Sequence, residues 1–420
     1  MQAMTSERTE RILDWLLNEG LRGASEGHLI AGFCERVRAL GVKLVEAAIF
    51  LDTLHPVRES EGFYWEPSKS LDARQREFLR DDSEDNDRQW RSSPFHHMLE
   101  NGLSELHLPL GGDVPDQFPV LAELKQAGHT GYFAQILPLG GTDAIGEMDN
   151  LYCRWSTDRA GGFRREDLDA FRRLVPALTL AIKSAALRQV ANSLVEVYLG
   201  HDAGKRVLEG RIARGRVESI HTVLWCSDMA NYTSLSETVH SSELIAMLND
   251  YAEATISGIH HCGGDVLKLI GDGVLAIFNR ADAKEAADAA LQARRRLAEN
   301  LSLLNERRCG LGLATTSIYL GLHFGEVFYG NIGSDERLDF TVIGPAVNEV
   351  CRIAASCRTL GRSLLVSENF RALLADRDAE YLADVGTFQL KGVRNPRRLY
   401  APKIELSSCQ CSSEKGPAVT

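Results

Sequence analysis

The 420-residue chain has no run of about 20 apolar residues, the length a bilayer-spanning helix needs. Its most apolar stretch, Leu174–Leu187, is interrupted by Lys183 and flanked by Arg172 and Arg173. The N-terminus, Met1 to Glu10, is polar and lacks the apolar centre of a signal peptide. No stable membrane insertion is expected. Positive charge is also in deficit: 47 Lys and Arg stand against 58 Asp and Glu, a net charge of −11. A chain so acidic is a poor match for nucleic acid or anionic membranes, and no nucleic-acid partner is expected. A small anionic ligand is still open to it, because metal ions and helix N-termini hold anions locally. A disulfide framework is missing too. The nine cysteines, Cys34, Cys153, Cys226, Cys262, Cys309, Cys351, Cys357, Cys409 and Cys411, are odd in number and scattered. That pattern reads as reduced thiols in a cytoplasmic protein. Hydrophobic residues make up 44% and charged residues 25%, which excludes collagenous, mucin-like and wholly disordered chains. The length predicts two or three domains.

Three stretches separate by pattern. In the first, Glu7–Leu17 and Leu29–Leu40 have helical apolar spacing, while Val42–Leu51, Gly62–Trp65, Tyr132–Leu139 and Leu151–Trp155 read as strands. A Gly-rich connection, Gly140 to Gly146, joins the last two. The second is a long helix. Leu168, Phe171, Val175, Leu178, Ile182 and Ala185 step by 3 and 4, an a/d seam, with Pro176 inside it as an expected kink. This seam either packs on its own domain or joins two copies as a parallel stalk. The third, about 217–403, alternates strands and helices. Strands are expected at Ser219–Trp225, Asp265–Ile270, Val274–Phe278, Ser317–Phe324, Glu326–Ile332 and Leu338–Ile343. Helices on an antiparallel or mixed sheet make the class α+β. Residues 404–420, Ser-rich and carrying Cys409 and Cys411, read as a disordered tail.

The chemistry gathers in the third stretch. Asp228 follows the apolar run Val223-Leu224-Trp225 and precedes a turn, so its carboxylate is open at a strand end. Gly271-Asp272-Gly273 is a tight turn between two apolar strands, with Asp272 at its tip. A simple hairpin accounts for that turn. It does not account for Lys268, four residues earlier on a strand that is otherwise apolar on both sides. Two carboxylates on neighbouring strand ends suit divalent cations that also bind substrate phosphates. Thr341 lies on the strand that runs through Gly344-Pro345 into a helix, where Asn348 and Arg352 share one face at i and i+4. Arg suits a developing phosphoryl charge, and Asn can orient a sugar oxygen.

In this order and spacing, Asp228, Lys268, Asp272, Thr341, Asn348 and Arg352, together with Gly321-Leu322-His323-Phe324-Gly325-Glu326, resemble the catalytic domain of class III nucleotidyl cyclases. The resemblance covers 217–403 and implies a ferredoxin-like βαββαβ core. It implies that Asp228, Asp272 and the backbone carbonyl of Met229 hold two Mg²⁺ or Mn²⁺ ions per site. It implies that Lys268 and Thr341 select the purine, that Asn348 and Arg352 stabilise the transition state, and that Lys391 contacts the triphosphate. Thr341 stands where many adenylate cyclases carry aspartate, Asn231 where glycine is usual, and Cys226 where phenylalanine is usual.

A Lys ammonium can only donate and so fits N1 of adenine, whereas a Thr hydroxyl can accept from the 6-amino group. Guanine reverses both edges. The expectation is therefore an adenylate cyclase that converts ATP to 3′,5′-cyclic AMP and pyrophosphate. The alternatives are a guanylate cyclase or a silent cyclase-fold regulatory module. A diguanylate cyclase is disfavoured because Val266-Leu267, not Glu-Phe, follows Gly263-Gly264-Asp265. A single copy carries both halves of the family's shared site, so a homodimer with two sites is implied. The elements Tyr132–Leu139 and Leu151–Asp158, followed by Gly161-Gly162-Phe163 opening the long helix, resemble a GAF-type sensory domain; a PAS-like domain reads similarly. His55, His96, His97 and His129 are the candidates for a haem ligand there, and Cys34 or Cys153 for a redox switch; the sequence does not identify the small-molecule signal. The expected division is a sensor at 1–163, a helical linker at 164–216, the catalytic domain at 217–403 and the tail at 404–420.

Overall fold

The computed structural model describes residues 2–54, 58–67, 75–79, 84–112, 117–140 and 148–404. His55, Cys409, Cys411 and most of the Gly140–Gly146 connection lie outside them, as does the tail beyond residue 404. The chain divides into two compact units, 1–194 and 195–420.

In the first unit the order is α1 (Gln2–Arg22), α2 (Glu26–Ala39), β1 (Leu44–Asp52), β2 (Arg58–Trp65), β3 (Gln75–Leu79), α3 (Glu84–Arg91), α4 (Pro94–Glu100), β4 (Glu105–Pro109), α5 (Pro119–Gln126), β5 (Gly131–Pro138), β6 (Asn150–Thr157) and the long α6 (Arg165–Leu199). The strands form one six-stranded antiparallel sheet in the order β3-β2-β1-β6-β5-β4. Period-2 alternation gives it two apolar faces. Ile49, Leu51, Phe133, Cys153 and Trp155 pack against α1, α2 and α6, while Tyr132, Ala134, Ile136 and Tyr152 pack under α4 and α5.

All six seam residues of α6, from Leu168 to Ala185, are buried in this core. The seam therefore packs on its own unit and is not a stalk surface. The division between the two units, at residue 194, falls inside the stretch expected as a linker, 164–216. The helix runs through Pro176 as one element. By length and composition α6 could cross a membrane, but half of its most apolar window is buried by protein. Cys34 and Cys153 are fully buried, and burial pushes both thiols up, which makes them poor redox switches. His96 and His97 lie on α4 against Trp90 and Phe118, and among the described residues the histidines form no cluster of three or more metal-binding side chains.

The second unit holds α7 (His201–Leu208), β7 (Val217–Met229), α8 (Tyr232–Thr238), α9 (Ser241–His261), β8 (Asp265–Ile270), β9 (Gly273–Phe278), α10 (Ala283–Gly310), β10 (Ile318–Gly333), β11 (Leu338–Ile343), α11 (Pro345–Leu360), β12 (Leu364–Ser367), α12 (Glu368–Arg371), α13 (Asp376–Glu380), β13 (Leu382–Phe388) and β14 (Arg397–Pro402). The run β7-α9-β8-β9-α10-β10 is the expected βαββαβ core, with spatial order β10-β7-β9-β8 and antiparallel neighbours throughout. The strands β12, β14 and β13 extend the sheet beyond β10, and β11 pairs back onto β10. One face carries α9 and α10 over Trp225, Phe278 and Leu322. The other carries α11 and α7 over Leu224, Ile277 and Val327.

β10 is one strand of 16 residues, not the two expected on either side of Gly325. A Cβ at Gly325 would meet the Ala346 methyl at 2.7 Å, and one at Gly321 would meet the Val350 carbonyl at 2.8 Å. These glycines do not break the strand; they let α11 lie close upon it.

Candidate active site

β7 lies between β10 and β9, so its C-terminal end opens at the middle of the sheet rim. Along β7, Thr222–Trp225 and Ser227 are buried, Cys226 is half-buried and Asp228 reaches solvent. The β8–β9 hairpin closes through Ile270 opposite Gly273 and carries Asp272 at its tip. Because β9 pairs with β7, that tip stands beside Asp228. A side chain at Gly273 would strike the Ser227 carbonyl at 2.8 Å and crowd Asp228 Oδ1 at 3.3 Å, so the residue type there is dictated by the approach. The Met229 N–H donates to Asp272 Oδ2 at 3.1 Å. Burial, and then the hydrogen bond and negative charge of Asp272, push the Asp228 carboxyl up to about 7. A divalent cation between the two would remove that repulsion. Among the described residues no group of three or more His, Cys, Asp or Glu gathers as a metal site. Two carboxylates and a neighbouring carbonyl suit an ion whose shell is completed by water and phosphate oxygens.

Asn231, just beyond this pair, is the only non-glycine among the described residues with positive φ, at 58°. The left-handed turn explains why glycine is usual there, and Asn is among the side chains that tolerate it best.

Lys268 projects from β8 and forms an ion pair with Asp339 of β11. Asp339 and Thr341 alternate with the buried Phe340 and Val342, so they share the outward face of β11. The geometry thus brings Lys268 to the face that carries Thr341. The motif reading missed Asp339. Its signal was the two-residue spacing from Thr341, together with the need of an isolated Lys for an acceptor.

Asn348 and Arg352 both stand exposed on α11, one turn apart. On the adjoining flank of the helix, Glu349 is buried and pairs with Arg397 of β14 at 2.8 Å. Cys351, beside Arg352, lies 3.4 Å Sγ to Sγ from Cys226 of β7, two residues before Asp228. Lys391 is exposed in the turn between β13 and β14, and Leu390 anchors that turn in the core. Among the described residues no hydrogen bond or ion pair joins the aspartate pair, the Lys268–Asp339 pair and the Asn348–Arg352 face to one another.

Residues 216–402 match the family model of the adenylate and guanylate cyclase catalytic domain. An adenylate cyclase of Anabaena cylindrica is 35% identical over 152 residues, 35% of this chain and 29% of that protein. A terminal-differentiation-specific adenylate cyclase of Dictyostelium discoideum is 26% identical over 178 residues, 42% of this chain and 8% of that protein. The chain thus spans less than a third of the length of either relative. Among solved structures, the adenylyl cyclase CyaB from P. aeruginosa aligns with 46% of this chain and 100% of its own, at 24% identity and a TM-score of 0.41. The guanylyl cyclase Cya2 aligns with 46% and 99%, at 26% identity and a TM-score of 0.40. With its ordered motifs and its βαββαβ core, the segment from 216 to 402 belongs to the adenylate and guanylate cyclase catalytic domain family.

Proposed function

We propose that the chain is a cytoplasmic, homodimeric adenylate cyclase that forms 3′,5′-cyclic AMP and pyrophosphate from ATP under the control of its first unit. The observation that carries this reading is the pairing of the Asp228 and Asp272 carboxylates, in a chain whose Lys268, on the strand leading to Asp272, offers an ammonium that can only donate. Asp228, Asp272 and the Met229 carbonyl would hold two Mg²⁺ or Mn²⁺ ions, whose chemistry there would be to offset phosphate charge and lower the pKa of the 3′-hydroxyl. Asp339 engages one of the three Lys268 donors and fixes the ammonium, leaving the others for adenine N1. Thr341 accepts from the 6-amino group. Arg352 faces the charge that develops on the α-phosphate, Asn348 orients the ribose, and Lys391 supports the leaving pyrophosphate. Among the described residues no hydrogen bond or ion pair joins the three groups within one chain, which supports a two-fold pair in which each copy supplies what the other lacks.

Purified protein with Mn²⁺ is expected to make cyclic AMP from ATP and far less cyclic GMP from GTP. Asp228→Ala and Asp272→Ala should each retain less than about a tenth of the rate, since several kcal/mol of charge stabilisation are lost. Asp228→Ala mixed with Arg352→Ala should regain activity through one intact site per mixed dimer. A mixture that stays inactive while its subunits exchange would refute the shared site. Cyclic GMP as the main product would refute the purine assignment.

A further inference from the structure

We propose that Cys226 and Cys351 form a reversible disulfide that fastens β7 to α11 beside the candidate site. The two sulfurs are already in contact at 3.4 Å, and a disulfide needs about 2.05 Å. Both residues are free thiols and only half-buried, so a small oxidant can reach them. They come from different elements and meet across the sheet–helix interface, where Cys226 and Cys351 border the apolar cluster around Leu224 and Val350. Here two thiols face each other, one of them two residues from Asp228 and the other next to Arg352.

The oxidant class is a low-molecular-weight disulfide. The Cys351 thiolate, favoured by Cys226 and Arg352, attacks one of its sulfurs, forming a mixed disulfide and releasing one small thiol. Cys226 then attacks the Cys351 sulfur, forms the protein disulfide and releases the second small thiol. Two protein thiols and one small disulfide become one protein disulfide and two small thiols, with both protons carried on the products. Closing the contact draws the strand end and the helix together by about 1 Å, and misplacement on that scale can cost about 10²-fold in rate. The formation of the bond stands apart from the cyclase reading; its effect on turnover rests on that reading.

The test treats the full chain with oxidised glutathione, alkylates the remaining thiols and maps the linkage by mass spectrometry without reduction. Trypsin separates Cys351 from Cys357, and cleavage before Asp228 separates Cys226 from Cys262. A peptide pair joined through Cys226 and Cys351, and lost on adding dithiothreitol, is the expected result. Cys226→Ser and Cys351→Ser, checked for unchanged melting, should stop at a glutathione adduct or not react. A wild type that stops at the adduct, links Cys351 to Cys357 or does not react would overturn the proposal. Oxidised protein should turn over ATP at least tenfold more slowly, recover on reduction, and show less than a twofold change in Cys226→Ser. A linkage that forms without slowing turnover would overturn the coupling to the site. Protein inactive before oxidation would instead count against the cyclase reading, while the mass data still judge the bond.

Discussion

Asp228 has a carboxyl at about 7 where an unfolded chain would have one near 4, because burial and Asp272 both oppose its charge. Between those values the folded chain binds more protons than the unfolded one. The stability contribution is therefore full below about pH 4 and is lost as pH rises through 7. Asp228→Asn removes the repulsion. In EDTA it should melt above wild type at pH 8, with the gap closing towards pH 4. Mn²⁺ should raise the melting temperature of wild type more than that of the variant. Thermal melts at pH 4, 6 and 8 with and without Mn²⁺ check this, and an Asn variant no more stable at pH 8 would mean the carboxylates do not repel. At this scale the sequence was most legible. Asp228, Lys268, Asp272, Thr341, Asn348 and Arg352 could be picked out as candidates because the chemistry proposed for them calls for those residue types in that order. Asp339 and the Cys226–Cys351 pair could not, because they meet partners 71 and 125 residues away through sheet register and helix docking.

Among the elements, α11 carries Asn348 and Arg352 outward on the strength of what it buries inward. Glu349 ties it to Arg397 of β14, next to His323 of β10 at 3.7 Å. Glu349→Ala is expected to destabilise the second unit by about 1–3 kcal/mol, since a buried partner is removed while the half-exposed Arg397 can still reach water. Glu349→Gln should lose less. Chemical denaturation of both variants checks the order, and an alanine variant as stable as wild type would show that the pair does not anchor the helix. The expected helices and the core strands β7, β8, β9 and β11 appear with small shifts in their ends. β4 and β12 were not legible. β4 is a five-residue edge strand with charged Glu105, and β12 has four buried residues and no alternation to mark it. Gly325 misled because glycine marks both a strand's end and a helix's close approach, and only the partner distinguishes them. The a/d seam of α6 misled in the same way: its spacing is common to a coiled coil and to a helix lying on its own core.

For the whole molecule, the described residues on each side of residue 194 build hydrophobic clusters of their own. Each buries its own apolar surface, so calorimetry of the full chain should show two unfolding transitions. A fragment from residue 195 onward should reproduce one of them. A single transition, or a fragment that fails to fold, would make the first unit part of the second unit's stability. Mixed strands and helices, the order of motifs and the presence of two domains were all readable from the sequence. The place where one unit ends was not, because α6 continues from one into the other as a single helix.

Gly321 and Gly325 also act as a measuring device. Four residues of strand span about 13 Å, and the eight residues of helix from Ala346 to Ala354 span about 12 Å. The two missing side chains therefore fall under successive turns of one helical stripe, Ala346, Val350 and Ala354. A slip of α11 by one residue would carry Ala346 and Val350 off both glycines at once. The direction in which Asn348 and Arg352 point is thus indexed against the sheet like a key in its slot, by atoms the sequence leaves out.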